Sequence, residues 1–389
     1  MDCSALAFKR LWSAGLLVTL LILTGCAQLP DDEASWVLED LAAGVGESRL
    51  KQRTSDPVRT STVYVVQGRM HQGDLYQPAQ LPLAALVLVP GVAERGKDDP
   101  RLVALATTLA RVRYLVLVPD LPNLRAQRVQ AEDTRGVADA FLHLLSRPEF
   151  PLGGRAGIGA FSYAVGPAVL AALEPVIRER VDFVLGVGGY YDLHRVVTFF
   201  TTGYFEKDRQ WHYLKPNRYG KWVFVLGNIG RLAEPIDRVT FLRMAERKLE
   251  NPHADIDDLK GPLTPEGRSL LDMLENREPE RSPALLARLP ASIRAELNAL
   301  NLANKDLSRL RAQLILLHGT DDAIIPYTES MALAAAAPAG RSELFLIDGL
   351  AHVNVRPLGL DRHALWRAIG VLLAQRKDPE GGGQRDGSM

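Results

Sequence analysis

The stretch Gly157-Ile158-Gly159-Ala160-Phe161-Ser162-Tyr163-Ala164-Val165-Gly166 decides how the rest of the chain is read. An apolar run stops at Ser162, and a small-residue, Ala-rich helical pattern begins at once and continues to Leu173. The pattern predicts a strand, a sharp turn and a helix, with a serine at the turn. A hydroxyl on such a turn projects above the sheet edge, and the helix that follows aims its free backbone N–H groups at the same point. Strand and helix can approach closely only if the residues two before and two after the serine are small; here they are Ala160 and Ala164. A serine in a strand-to-helix turn is also a common helix N-cap, so its partners elsewhere in the chain must decide its role.

Outward from this stretch, residues 84–90 and 114–119 are continuous apolar runs of the kind a strand shows when both of its faces are buried. Helical patterns over 100–111 and 132–146 alternate with them, and residues 156–161 and 181–189 continue the series of strands. This alternation predicts an α/β fold with a doubly wound, mostly parallel central sheet flanked by helices. Ahead of it, residues 60–66 read as a strand, 68–73 as a turn and 74–78 as the hairpin partner. From about residue 194 to 311 the alternation stops, and the chain is helix-patterned and charged, with Trp211, Tyr213, Tyr219, Trp222 and Phe224 clustered early. Strand and helix patterns resume at 312–317, then a helix to about 337, then 342–347 and 362–374.

Two segments after the helical insertion supply candidate partners for Ser162. His318-Gly319-Thr320-Asp321-Asp322-Ala323-Ile324-Ile325-Pro326 follows one strand, and Asp348-Gly349-Leu350-Ala351-His352 follows the last. A serine hydroxyl is a weak nucleophile. It needs an imidazole to take its proton, and the imidazole needs a carboxylate to fix its tautomer and stabilise its charged form. The chain order Ser162, Asp322, His352 is similar to that of alpha/beta-hydrolases, and residues 60–375 resemble that superfamily.

The resemblance implies an alpha/beta-hydrolase fold, with the insertion in the position of a largely helical cap. It implies Ser162 as nucleophile, His352 as base and Asp322 as the acid, four residues after His318. Asp321 is then expected to point away, and His318 to be a structural strand-end histidine. It also implies an oxyanion hole of two backbone N–H groups, those of Tyr163 and Val92. Here the sequence departs from the family: Pro90-Gly91 stands where a His-Gly is usual. Asp192 is a competing carboxylate that could serve as the acid, cap a helix or hold a lid residue; capping is preferred. Arg95 and Lys97 beside the oxyanion loop read as a solvated face in preference to an anion site.

Composition narrows the function classes. Of 389 residues, 46 are Lys or Arg and 46 are Asp or Glu, so there is no cationic excess and nucleic acid is a poor partner. Lys9 and Arg10 precede an uncharged, Leu-rich run ending Leu23-Thr24-Gly25-Cys26, which resembles a bacterial lipobox and implies a lipid on Cys26. With Cys3 lost in a cleaved leader and Cys26 lipidated, no cysteine is left for a thiol nucleophile, a thiolate zinc site or an iron–sulfur cluster. No metal and no cofactor are expected. Ala27, where sorted lipoproteins retained in the inner membrane carry aspartate, points to the outer membrane.

The expected organisation is a leader over 1–25 and a tether with a short helix over 26–58. Two core segments, 59–193 and 312–375, flank a cap over 194–311, and a disordered tail occupies 376–389. The expected activity is that of a lipid-anchored serine esterase or thioesterase acting on an apolar acyl group. The same triad would serve an acyltransferase. A capped aminopeptidase and a non-catalytic binding lipoprotein are further alternatives, and an epoxide or haloalkane hydrolase would need an aspartate in place of Ser162.

Overall fold

The computed structural model describes residues 29–217, 219–352, 354–355 and 360–376. The leader, Cys26 and residues 377–389 lie outside the described residues. Asp32 and Ser48 accept hydrogen bonds from backbone N–H groups and so cap α1 (Glu33–Ala43) and α2 (Arg49–Arg53). β1 (Val58–Val66) and β2 (Arg69–Gln77) pair antiparallel. Then come β3 (Ala84–Val89), α3 (Pro100–Arg111), β4 (Tyr114–Pro119), the single turn α4 (Pro122–Arg125), α5 (Asp133–Leu145), β5 (Arg155–Phe161), α6 (Val165–Leu173) and β6 (Phe183–Val187).

The insertion runs through α7 (Leu193–Thr202), a hairpin of β7 (Tyr204–Lys207) and β8 (Gln210–Tyr213), α8 (Tyr219–Asn228), α9 (Pro235–Glu250), α10 (Pro265–Glu275), α11 (Ser282–Arg288) and α12 (Ala291–Leu300). The sheet resumes with β9 (Gln313–Gly319), α13 (Thr328–Ala336) and β10 (Ser342–Ile347). The short pair β11 (Leu350–Ala351) and β12 (Asn354–Val355) precedes α14 (Arg362–Ala374).

Eight strands form one sheet in the order β1-β2-β4-β3-β5-β6-β9-β10, parallel from β4 to β10 and antiparallel at the β1-β2-β4 edge. Alternate residues of β3 serve two cores. Ala85, Val87 and Val89 pack with α5 and α6 on one face, and Ala84, Leu86 and Leu88 with α1, α3 and α14 on the other. Period-two alternation between two helical layers is why β3 and β4 read as unbroken apolar runs. After β3 the chain moves outward to β4, then crosses to β5 on the other side of β3. The carboxyl ends of β3 and β5 therefore flank a topological switch point, where open α/β sheets hold their ligands.

Some expectations are corrected. The first turn is the two-residue Gln67–Gly68, both at positive φ, so of the broad turn expected at 68–73 only Gly68 is turn and 69–73 are strand. Gly73 lies within β2, where a β-carbon would come 2.8 Å from the Val118 carbonyl. The short helix expected in the region read as a tether is α1, and a second, α2, follows it, with Val37 and Leu50 buried in the core. Arg376, placed at the start of a loose tail, ion-pairs with Glu33. Within the insertion, a β-hairpin interrupts the helices.

Candidate active site

Ser162, at the end of β5, has φ 56° and leads through one 3-10 turn, Ser162–Ala164, into α6. That left-handed backbone is rare for a residue with a β-carbon and turns the hydroxyl out of the strand direction. The tight approach of α6 to the sheet rests on small side chains: Ala160 and Ala164 are fully buried. A β-carbon at Gly166 would come 1.9 Å from the Tyr190 hydroxyl.

Loops from three strand ends meet at this turn. His352, beyond β10, accepts from or donates to Ser162 Oγ through Nε2 at 2.7 Å, and its Nδ1 lies 2.7 Å from Asp322 Oδ2. A carboxylate at Nδ1 places the proton on that nitrogen, which leaves Nε2 as acceptor for the serine hydroxyl. The Asp322 carboxylate, on the loop after β9, is enclosed by donors. Oδ1 accepts from the Ile324 and Ile325 N–H groups at 2.8 and 3.0 Å. Oδ2 also faces His318 Nε2 at 3.1 Å. Burial works to raise its pKa, but the hydrogen bonds from His318 and His352, together with their charges, outweigh it and hold the carboxyl well below its usual range. The acid is therefore ionised across the working pH range.

The two loops can meet because Gly319 has no side chain: a β-carbon there would lie 1.5 Å from the Leu350 carbonyl oxygen. Ser162 is 7% exposed and His352 9%, so the serine and imidazole are nearly covered.

The other candidates are placed as follows. Asp192 caps α7, accepting from the His194 N–H at 2.9 Å and from Asn301 Nδ2 at 3.1 Å. The carboxylate on the imidazole is Asp322. His318 is wholly buried, with Nδ1 on Ser330 Oγ at 2.7 Å and Nε2 2.9 Å from the Ile325 carbonyl. Lys97 is committed to buried Asp74 at 3.0 Å and to Asp98 at 3.1 Å, alongside Arg59 on the same Asp74, which anchors the loop after β3. Arg95 is exposed on that loop. Val92 is half-buried on the same loop, directly after Gly91. A β-carbon at Gly91 would meet Phe161 at an ordinary 3.6 Å, so the turn does not depend on glycine there.

No family model matches the chain, and no curated protein does. Solved structures do. The alpha/beta hydrolase GrgF from Penicillium sp. sh18 aligns over 82% of this chain and 99% of its own, at 14% identity and TM-score 0.51. A variant of the rice cell wall degrading esterase LipA from Xanthomonas oryzae aligns over 82% of this chain and 88% of its own, at 15% identity and TM-score 0.52. A Legionella pneumophila protein aligns over 84% and 90%, at 13% identity and TM-score 0.53. The chain has the alpha/beta-hydrolase fold. At these identities the likeness is one of fold, and any activity has to be argued from this alpha/beta-hydrolase fold's own site.

Sequence reading missed Glu329 and Ser330. Buried Glu329 accepts from the Tyr191 and Asp192 N–H groups at 3.1 and 2.7 Å, tying α13 to the start of α7. Burial pushes its pKa up to about 7 against those two hydrogen bonds, with Asp192 adding to the rise and Arg195 opposing it. Neither residue lies in a recognisable motif. Only the apolar setting of Thr328-Glu329-Ser330-Met331-Ala332-Leu333 hinted that polar groups there would be buried.

Tyr163, the residue after Ser162, forms one wall of a narrow slot of about 50 Å3, closed by side chains of α7, α8 and α12. Neither this slot nor a wider cleft of about 460 Å3, bordered by Arg135, Glu174 and Arg309, is lined by Ser162, Asp322 or His352.

Proposed function

We propose that this chain is a lipid-anchored serine hydrolase that cleaves an ester or thioester of an apolar acyl group through an acyl-enzyme intermediate. The observation that carries the reading is the continuous hydrogen-bond chain from Ser162 Oγ through His352 to Asp322, starting from a serine held at positive φ. The near-complete cover over Ser162 and His352, together with the apolar side chains that the insertion lays against Tyr163, supports a water-poor site and an apolar substrate group.

Ser162 Oγ attacks the carbonyl carbon as its proton passes to His352 Nε2, and the carbonyl electron pair moves onto oxygen. Asp322 stabilises the imidazolium. The backbone N–H groups of Val92 and Tyr163 are the proposed donors to the oxyanion, each typically worth roughly 3–4 kcal/mol. Collapse breaks the bond to the leaving oxygen or sulfur, which takes the proton from Nε2, and leaves the acyl group on Ser162. Water, deprotonated by the same imidazole, then releases the acid and restores the serine.

The anchor is proposed on Cys26, from the cationic start at Lys9 and Arg10 and the Leu-Thr-Gly-Cys ending, with the domain on the periplasmic face of an outer membrane. Activity-based labelling tests the enzyme reading. A fluorophosphonate should modify Ser162 selectively, activated esters should yield free acid, and Ser162→Ala should lose both while the protein stays folded. A folded wild-type protein that neither labels nor hydrolyses any activated ester sinks the reading.

A further inference from the structure

His318 is a second buried imidazole beside the triad acid, and the reaction steps above give it no part. Its Nε2 faces two acceptors, the Ile325 carbonyl at 2.9 Å and Asp322 Oδ2 at 3.1 Å. Two acceptors at one ring nitrogen require a proton there, because a bare lone pair would repel both oxygens. Its Nδ1 lies 2.7 Å from Ser330 Oγ in the first turn of α13. A neutral ring with its proton on Nε2 accepts at Nδ1, so the Ser330 hydroxyl donates to it. Both side chains are closed off from solvent.

The same carboxylate oxygen, Asp322 Oδ2, is 2.7 Å from His352 Nδ1, so it is shared between two imidazoles. Ile325 is held at both of its backbone groups: its N–H donates to Asp322 Oδ1 at 3.0 Å and its carbonyl accepts from His318. The His318 ring thereby ties the turn from Asp322 to Ile325 back to β9. The other ionisable groups nearby are engaged elsewhere. Glu329, next to Ser330 on α13, is turned to the Tyr191 and Asp192 N–H groups, and Asp321 sets its carboxylate by Gly319. The β10 residue paired with His318 is the apolar Leu346.

We propose that His318 is a positioning residue for the triad acid: Ser330 holds it as the neutral Nε2–H tautomer, and that N–H edge fixes the Asp322 turn and draws carboxylate charge away from His352. The inference rests on Ser162, His352 and Asp322 forming a working triad, as proposed above. A carboxylate whose charge is partly met by His318 favours the imidazolium of His352 less than one that acts on His352 alone. Loss of the His318 donor therefore makes His352 more basic. The base works only in its neutral form, so the acid limb of the activity profile then moves to higher pH.

Two substitutions in the full chain separate the N–H from the bulk of the ring. The amide of His318→Gln presents an N–H where Nε2 stands, whereas His318→Met fills a similar volume without a donor. The pH dependence of kcat/KM is read on one activated ester. His318→Gln should keep the acid limb at its wild-type position. In His318→Met the limb should rise by about half a pH unit or more, and kcat should fall about ten-fold or more as the turn loosens. An unmoved limb in His318→Met, a move to lower pH, or equal shifts in the two variants overturns the inference; in the last case the packing of the ring alone accounts for the effect. Nitrogen-15 NMR of histidine-labelled wild type, with the His318 signals assigned by their loss in His318→Gln, reads the tautomer without turnover and whether or not His318→Met folds. Nε2 should be protonated and Nδ1 bare from about pH 5 to 8, and a proton on Nδ1 in that range overturns the inference. Absence of any fluorophosphonate labelling at Ser162 in the wild type instead removes the triad reading itself, so the two failures are distinguishable.

Discussion

Ser162 and His352 both sit at positive φ, 56° and 57°, a backbone region that costs a residue with a β-carbon on the order of 1–3 kcal/mol. Two such residues facing each other across a 2.7 Å hydrogen bond are stabilised by the loops around them, and the carboxylate behind them has no freedom either. Asp322 accepts from two backbone N–H groups and faces two imidazoles, whereas Asp192 spends its acceptor capacity on the first turn of α7. Asp322→Asn should therefore lower kcat by about 10⁴, and Asp192→Asn should keep most of the activity. Steady-state kinetics on one activated ester decides between them, and the reverse ranking would move the acid to the β6 end.

Glu329 makes a separate prediction about pH. Its folded pKa, near 7, lies above the 4.5 of a free glutamate, so between those values the folded state holds a proton that the unfolded state has lost. Stability therefore falls as pH rises through that window, by at most about 3 kcal/mol. Unfolding at pH 5, 6.5 and 8 should show the wild type losing stability relative to Glu329→Gln, and parallel curves would contradict the assignment.

Among the elements, legibility followed how local the signal was. The strands β3 and β4 were plain in the sequence because each is a continuous apolar run between two helical layers. Ser162, Asp322 and His352, which the structure joins by hydrogen bonds, could be picked out because each stands in a short motif that follows a strand. The β7–β8 hairpin was not. Its turn, Asp208–Arg209, takes positive φ at both residues with no glycine to announce it, inside a segment charged enough to read as helix. Nor could sequence spacing show that Glu329 reaches back 137 positions to the Asp192 N–H. The departure at Pro90-Gly91 also has a local account, since the loop after β3 is held through Lys97 and Arg59 on buried Asp74. Gly319 is where two elements depend on a single missing side chain. Gly319→Ala sets a β-carbon against the Leu350 backbone, so the loop carrying His352 must shift. A displacement near 1 Å costs about 10²-fold in rate. The expected result is a loss of that size in kcat/KM with the far-ultraviolet circular dichroism retained; full activity would show that the loops tolerate the wider spacing.

At the scale of the whole molecule, the ordered body reaches almost to the proposed anchor. Asp32 caps α1 and accepts from Trp366 Nε1 of α14 at 3.0 Å, Glu33 pairs with Arg376, and buried Asp40 accepts from the Ser48 and Thr108 hydroxyls. Among the described residues no helix is long and apolar enough to cross a membrane. Six positions separate Cys26 from Asp32, and six residues span at most about 20 Å. A lipid on Cys26 would thus hold the triad-bearing domain close against the bilayer, at high effective concentration toward esters in that surface. Lipidated protein and a form beginning at Ala27 should hydrolyse a soluble activated ester equally, because Ser162, Asp322 and His352 lie in loops at the sheet's carboxyl edge and make no use of the anchor. On the same ester group carried by a lipid in vesicles, the anchored form should be faster by about 10². Mass spectrometry supplies the second arm: Cys26→Ser should accumulate at signal-bearing mass without acylation. Normal processing of that variant, or equal rates on vesicles, would detach the enzyme from the membrane role proposed for it.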